Sequence, residues 1–258
     1  MINDSDLDEQ LSALDSTAEL QSEPVDGRTL ADRVFEEIQD AIVTGSIAPG
    51  TKITEPGLAK QYGISRGPLR EAMRRLEGRH LVTRIPHIGA RVVSLSLEEL
   101  LELYEVREAM EGMACRLAAR QMPQVEIDSL KALLQKHEQQ AELQENIAYY
   151  QKEGDLDFHY RIVLGSGNKK LMELLCGELY YLVRMYRYRF SATSGRPQRA
   201  FTEHHRIVDA IEQRDEELAE MLMRRHIRAS RDNVEQRLRE AAGQTTPENR
   251  ILNKRKQT

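Results

Sequence analysis

Asp155, His159, His204 and His226 are the side chains whose types and spacing could do chemistry together. Asp155 and His159 stand four residues apart, which on a helix puts a carboxylate and an imidazole on one face. His204 and His226 fall in what read as the last two helices, neighbours across a short turn near Asp215. One carboxylate and three imidazoles are a plausible donor set for a first-row divalent ion: zinc, or alternatively nickel or manganese. Spacing alone leaves a second reading open, in which these are ordinary histidines packed into a core. His80, His87 and His137 have no partner at a useful spacing.

A second group is cationic. Ser65, Arg66 and Arg70 lie at the N-terminal end of a segment, Arg66 to about Gly78, whose apolar residues Leu69, Ala72, Met73 and Leu76 recur on one face. A helix that enters the major groove by its N-terminal end brings free backbone N–H groups and a favourable dipole to phosphate. Arginine there can pair with both acceptors on a guanine edge. The surrounding charge agrees: residues 50–91 hold 9 Lys and Arg against 3 acids, a local +6 inside a chain of net charge −5. Such a concentration is the electrostatic footprint of a nucleic-acid-binding module. Arg74 and Arg75, deeper along the helix, are expected to meet phosphate or acidic neighbours.

Two sets of elements must position these groups. Thr29 is a candidate N-cap for a first helix whose apolar stripe is Leu30, Val34, Ile38, Ala41 and Ile42, stopped at Gly45. Thr54 opens a short second helix to Tyr62, and Ser65 opens the third. Two β-prone pieces, Leu81–Ile85 and Ala90–Val93, follow around a tip at Pro86-His87-Ile88-Gly89, where Gly89 supplies a positive φ. Three helices and a hairpin are the outline of a winged helix-turn-helix. From Ser96 the segments near 97–121, 125–146, 149–165, 169–190, 200–213 and 215–239 all read helical, with Asn168 as a cap. The expected fold is therefore mainly α. A disordered acidic tail spans 1–27, a DNA-binding domain 28–93, an all-α effector-binding bundle of about six helices 96–240, and a flexible tail 241–258.

Composition excludes several classes. The first 27 residues carry 8 acids and no Lys or Arg, so they do not read as a secretory signal. No run of about 18 apolar residues is present to span a membrane. With only Cys115 and Cys176 there is no disulfide framework, and a reducing cytoplasm is the expected location.

The stretch Leu30 to Val92 resembles the DNA-binding domain of the GntR family of bacterial transcription regulators. The matching residues are Ile42 to Gly50, Glu55 with Leu58-Ala59, Gly63-Ile64-Ser65-Arg66-Gly67-Pro68-Leu69-Arg70-Glu71-Ala72-Met73-Arg74-Arg75-Leu76-Glu77, Leu81-Val82 and Gly89-Ala90-Arg91-Val92. The resemblance implies that Ser65, Arg66, Gly67, Pro68, Arg70 and the wing glycine Gly89 approach DNA. Pro56 and Gly67 depart from the Arg and Thr that some members carry.

Residues from about 96 to 240 resemble the all-helical ligand domain of the FadR branch of that family. The landmarks are Leu103-Tyr104-Glu105-Val106-Arg107 with Glu111, Asp155 to His159, Gly167-Asn168, Glu203-His204 and His226. This resemblance implies a divalent metal held by Asp155, His159, His204 and His226, with His205 and Asp157 in reserve. It also implies a small organic acid as effector, its charge met by arginine. Arg107 is the first candidate and Arg184, from the Tyr- and Arg-rich stretch 180–189, the second. The whole chain is similar to regulators of propionate breakdown, which implies 2-methylcitrate or 2-methylisocitrate. The expected function is a homodimeric regulator, a repressor by this reading, that binds a palindromic operator. A metal-dependent enzyme acting on a small carboxylate is the alternative.

Overall fold

The computed structural model describes residues 28–86, 89–143, 157–190 and 196–244. The acidic segment 1–27, His87 and Asp155 lie outside the described residues. The chain divides into two compact units: one of residues up to Ser94 together with Gly177–Arg189, and one of Leu95–Cys176 with the chain from Phe190 onward.

In the first unit, α1 spans Leu30–Thr44. It opens with a reciprocal cap: Thr29 Oγ1 accepts from the Asp32 N–H at 3.2 Å, and Asp32 Oδ2 accepts from the Thr29 N–H at 2.8 Å. Val34, Ile38 and Ile42 recur along one stripe and are fully buried. Gly45 closes the helix in the left-handed conformation. After a tight turn come β1 (Lys52–Ile53), α2 (Glu55–Gln61, capped by Thr54) and α3 (Arg66–Gly78). The α3 residues Leu69, Ala72, Met73 and Leu76 are buried, and the helix packs against α1 and α2.

β2 (Val82–Ile85) and β3 (Gly89–Val92) form the wing hairpin, paired Val82 with Val92 and Ile85 with Gly89. The sheet has a third, unanticipated strand. β1 pairs antiparallel with β3, Lys52 opposite Arg91 and Ile53 opposite Ala90, giving the order β1-β3-β2. Two residues are too few to display alternation, so only the tertiary pairing reveals that strand.

The second unit begins with α4 (Leu97–Gln121), opened by the reciprocal cap of Ser96 and Glu99. α5 (Gln124–Leu143), α6 (Phe158–Gly165), α7 (Lys169–Met172), α9 (Arg196–Glu212) and α10 (Glu216–Gln244) follow, and α8 (Tyr180–Phe190) groups with the first unit. α10 runs to Gln244, past the expected end of order near 240.

α4 and α10 are the frame of this unit. Their ion pairs fix an antiparallel seam, because Arg120, Arg116 and Glu108 of α4 meet Glu216, Glu220 and Arg228 of α10 in reverse order. Between them lie Tyr104, Cys115 and Ala118 on one side and Ala219, Met223 and Ile227 on the other, all nearly or wholly buried. At the turn between α9 and α10, Arg214 adopts positive φ and donates to the Met122 carbonyl at 2.7 Å, capping the end of α4. Among the described residues no helix is long and apolar enough to cross a membrane.

Two expected helices are broken. The segment 149–165 does not run unbroken into His159: Asp157 is extended and caps α6, its carboxylate accepting the His159 N–H at 2.9 Å. Asp155, the other member of the expected pair, lies outside the described residues. The segment 169–190 winds into a π-helical stretch at Glu173–Glu178, where Leu175 packs with Ala114 and Val163.

Candidate functional site

The cap at Asp157 places Phe158 and His159 in the first turn of α6 with both side chains buried. α9 supplies His204 and α10 supplies His226, also buried. Their rings converge: ring centres lie 5.4 Å apart for His159 and His204, 5.1 Å for His159 and His226, and 4.5 Å for His204 and His226. His204 Nε2 and His226 Nε2 are 3.2 Å apart, and one nitrogen from each of the three rings lies within 4.8 Å of the others. Phe158 stacks on His204 with ring centres 4.0 Å apart, covering it on one face.

Two glutamates set the imidazoles. Glu111 of α4 lies 2.7 Å from His159 Nδ1, and Glu203 of α9 lies 2.6 Å from His226 Nδ1. An imidazole whose Nδ1 donates to a carboxylate presents Nε2 as its ligand atom and gains basicity there. Three buried imidazoles, two of them oriented in this way, suit a divalent ion of the zinc type. His205, the reserve candidate, points elsewhere: it is half exposed and its Nε2 lies 3.6 Å from Glu138. Asp157, the other reserve, spends its carboxylate on the α6 cap.

Beside the cluster, Arg107 is almost wholly buried. Its Nε donates to Glu111 Oε1 at 2.8 Å, Nη2 lies 2.8 Å from the same oxygen in an ion pair, and its guanidinium carbon lies 4.8 Å from the Tyr104 ring centre. Burial opposes ionisation of Glu111, but the Arg107 guanidinium and the His159 ring outweigh it and hold the carboxyl below the usual carboxylate range. Among the described residues, Arg107 Nη1 and the Tyr104 hydroxyl are buried with no hydrogen-bond partner. A buried guanidinium N–H without an acceptor is unfavourable, and an incoming anion relieves it. Arg184, the second effector candidate, lies in α8, which groups with the first unit; it is buried there and its charge acts on Asp40.

In the first unit, Ser65 occupies the N-cap position of α3 in extended conformation but makes no capping hydrogen bond, so its hydroxyl stays exposed. Arg66 and Gly67 are exposed beside it, and Pro68 is half-buried. Among the described residues Arg66 makes no ion pair, whereas Arg70 Nε is held 3.1 Å from Glu55. Arg74 pairs with Glu71 and Arg75 with Asp32, each at 2.6 Å, so both meet acidic neighbours. Gly89 is exposed on the wing with φ 114°. Thus the α3 terminus presents an exposed hydroxyl and, among the described residues, a cation with no ion pair.

Residues 30–92 match the family model described as bacterial regulatory proteins of the gntR family, and residues 102–229 match the FCD domain. The HTH-type transcriptional repressor GlaR of Escherichia coli is 31% identical over 202 residues, 75% of this chain and 90% of that protein. A protein of Paenarthrobacter nicotinovorans named "Probable D-xylose utilization operon transcriptional repressor" is 31% identical over 205 residues, 78% of this chain and 87% of its own length. Among solved structures, E. coli McbR/YncC superposes with a TM-score of 0.64 at 21% identity, over 82% of this chain and 99% of that one. These relatives are transcription regulators, which sets aside the reading as a metal-dependent enzyme.

Proposed function

Because the chain belongs to the GntR family of bacterial transcription regulators and carries an FCD domain, we propose that it is an acid-responsive, ion-dependent repressor. It binds a palindromic operator as a homodimer, with α3 in the major groove of each half-site and the wing at Gly89 beside it. Arg66 and Arg70 read bases or phosphate, and Ser65, Gly67 and Pro68 let the helix terminus approach the backbone. The observation that carries the effector half is the buried cluster of His159, His204 and His226 next to Arg107, whose Nη1 has no partner among the described residues.

His159, His204 and His226 would hold the ion, zinc first and nickel or manganese as alternatives, with Asp155 completing the set on the family pattern. When bound, such an ion supplies a Lewis-acidic centre for a carboxylate or hydroxyl oxygen. Arg107 meets the ligand's remaining negative charge through Nη1, and the Tyr104 hydroxyl adds a neutral donor. The cluster is buried, which favours a compact acid over a long chain. To release DNA the acid must bind the non-binding arrangement better, with a typical coupling of about 1–3 kcal/mol.

Elemental analysis of the purified protein, and operator gel shifts with succinate, citrate, 2-methylcitrate and 2-methylisocitrate, test this reading. The expected result is about one zinc-group ion per chain and loss of the shifted band with at least one acid. Arg107→Ala is expected to keep operator affinity and lose the acid response. A protein without a transition metal whose operator binding ignores every acid refutes the proposal.

A further inference from the structure

Glu111 meets two demands at once. Its Oε2 lies 2.7 Å from His159 Nδ1, and its Oε1 accepts the Nε–H of Arg107 at 2.8 Å and ion-pairs with Nη2 at 2.8 Å. We infer that Glu111 is a positioning residue shared between the ion site and an anion subsite: it fixes the His159 tautomer that presents Nε2, and it anchors Arg107 so that Nη1 serves a carboxylate ligand. The inference rests on the proposed reading of this domain as the seat of an ion and an acid.

The chemistry requires a carboxylate at this position. His159 can hold its proton on Nδ1 only against an acceptor, and the ion needs the lone pair on Nε2. The Arg107 fork likewise needs an acceptor for Nε and Nη2 if its third nitrogen is to be kept in one place. One carboxylate has an oxygen for each task. An amide has only one acceptor oxygen, and its NH₂ must then face either the guanidinium or His159 Nδ1. In the second case the imidazole is driven to the opposite tautomer, with the proton on the nitrogen the ion would use. All three side chains are buried, so water is a poor substitute for either oxygen. Glu203 performs the first of these tasks for His226, 2.6 Å from its Nδ1. Glu111 adds the second, and so ties the two binding events to one side chain.

The first test needs no substitution. In the metal-free wild-type protein, the ring ¹⁵N shifts of His159 should report a protonated Nδ1 and an unprotonated Nε2, and the reverse tautomer would overturn the inference. The second compares wild type with Glu111→Gln, using competition against a chromogenic chelator for zinc and calorimetry of the zinc-loaded protein for succinate. Zinc affinity is expected to drop about 10- to 100-fold, and succinate binding to weaken by a further tenfold or more. Zinc and succinate affinities both within twofold of wild type overturn the inference, as does a change confined to the melting temperature of the metal-free protein. Wild-type protein that takes up no zinc, nickel or manganese overturns the underlying reading as well. Normal uptake by the wild type with an indifferent Glu111→Gln overturns the role of Glu111 alone.

Discussion

Gly89 and Gly67 permit one chemical change, hydrogen to methyl, to be made twice on the proposed DNA-facing surface with opposite expected signs. Gly89 has φ 114°, and a Cβ built there would lie 2.8 Å from the Ile53 carbonyl oxygen. That oxygen is backbone of β1, and moving it disturbs the pairing of Ile53 with Ala90. Holding an L-residue in this region costs about 1–3 kcal/mol, and weakening one ladder hydrogen bond adds about 1 kcal/mol. Gly89→Ala should therefore destabilise the wing by about 2–4 kcal/mol. Gly67 lies inside α3, where an added Cβ meets nothing within 4 Å. Gly67→Ala should then be neutral or stabilising by up to about 1 kcal/mol. Amide hydrogen exchange at Val82, Arg91 and Val92 is the assay, since it reads opening of the sheet residue by residue. Exchange there should accelerate roughly 30- to several-hundredfold in Gly89→Ala, given a factor of ten for each 1.4 kcal/mol. In Gly67→Ala it should stay level or slow. Equal effects of the two substitutions, or unchanged β3 exchange in Gly89→Ala, would refute the assignment of strain to this wing.

Three further outcomes are expected. Asp32 has its carboxyl pulled from the ordinary 3.8 to about 2, first by the Thr29 hydroxyl, then by the Thr29 backbone N–H and by Arg75. Its folded value is depressed, so its stabilising contribution is complete above about 3.8 and is lost as pH falls towards 2. Acid titration of Asp32→Asn should show a flatter loss of stability across that window. Arg66→Ala should weaken binding to the operator far more than binding to random DNA, as measured by gel shift at fixed salt, and an equal loss on both would reduce Arg66 to a phosphate contact. Phe158 is fully buried and stacked on His204, so Phe158→Ala should cost about 3–5 kcal/mol in urea unfolding. It should also lower zinc uptake, and a zinc content equal to wild type would show that His204 does not depend on the stacking.

Much of the first unit was legible because its signals are local. Thr29 with Asp32, Gly45, and the spacing of Val34, Ile38 and Ile42 each declare a helix end or a buried stripe without reference to anything distant. Asn168 is similar, its side chain accepting from the Lys170 and Leu171 N–H groups as an N-cap should. What was not legible depends on distant partners. β1 is a strand only because β3 pairs with it, and the π-helical stretch at Glu173–Glu178, where Leu175 packs, is not encoded by a periodicity of 3.6. α8 carries a Tyr- and Arg-rich pattern that fits many settings. Arg79 lies 4.2 Å from the Tyr181 ring centre and 4.6 Å from that of Phe35, so one arginine links α8 to α1 inside the first unit. That contact, and not composition, places Arg184 there.

The histidine site divides along the same line. Residue type and family pattern single out His159, His204 and His226. His159 falls in the first turn of a helix that starts only after Asp157, while Asp155 lies outside the described residues. The glutamates were visible as landmarks and silent as chemistry, because in a chain with 42 acids a Glu four residues after an Arg reads as an ordinary surface pair. Burial changes its meaning. With Arg107 1% and Glu111 4% exposed, the pair cannot be a solvated ornament, and two charges withdrawn from water must be hydrogen-bonded on every side to persist. Glu111 satisfies that condition through His159, whereas Arg107 does not, because Nη1 lacks an acceptor among the described residues. The incomplete side of the pair is therefore where a ligand is expected, and its sign, a negatively charged oxygen, follows from the guanidinium that remains to be satisfied.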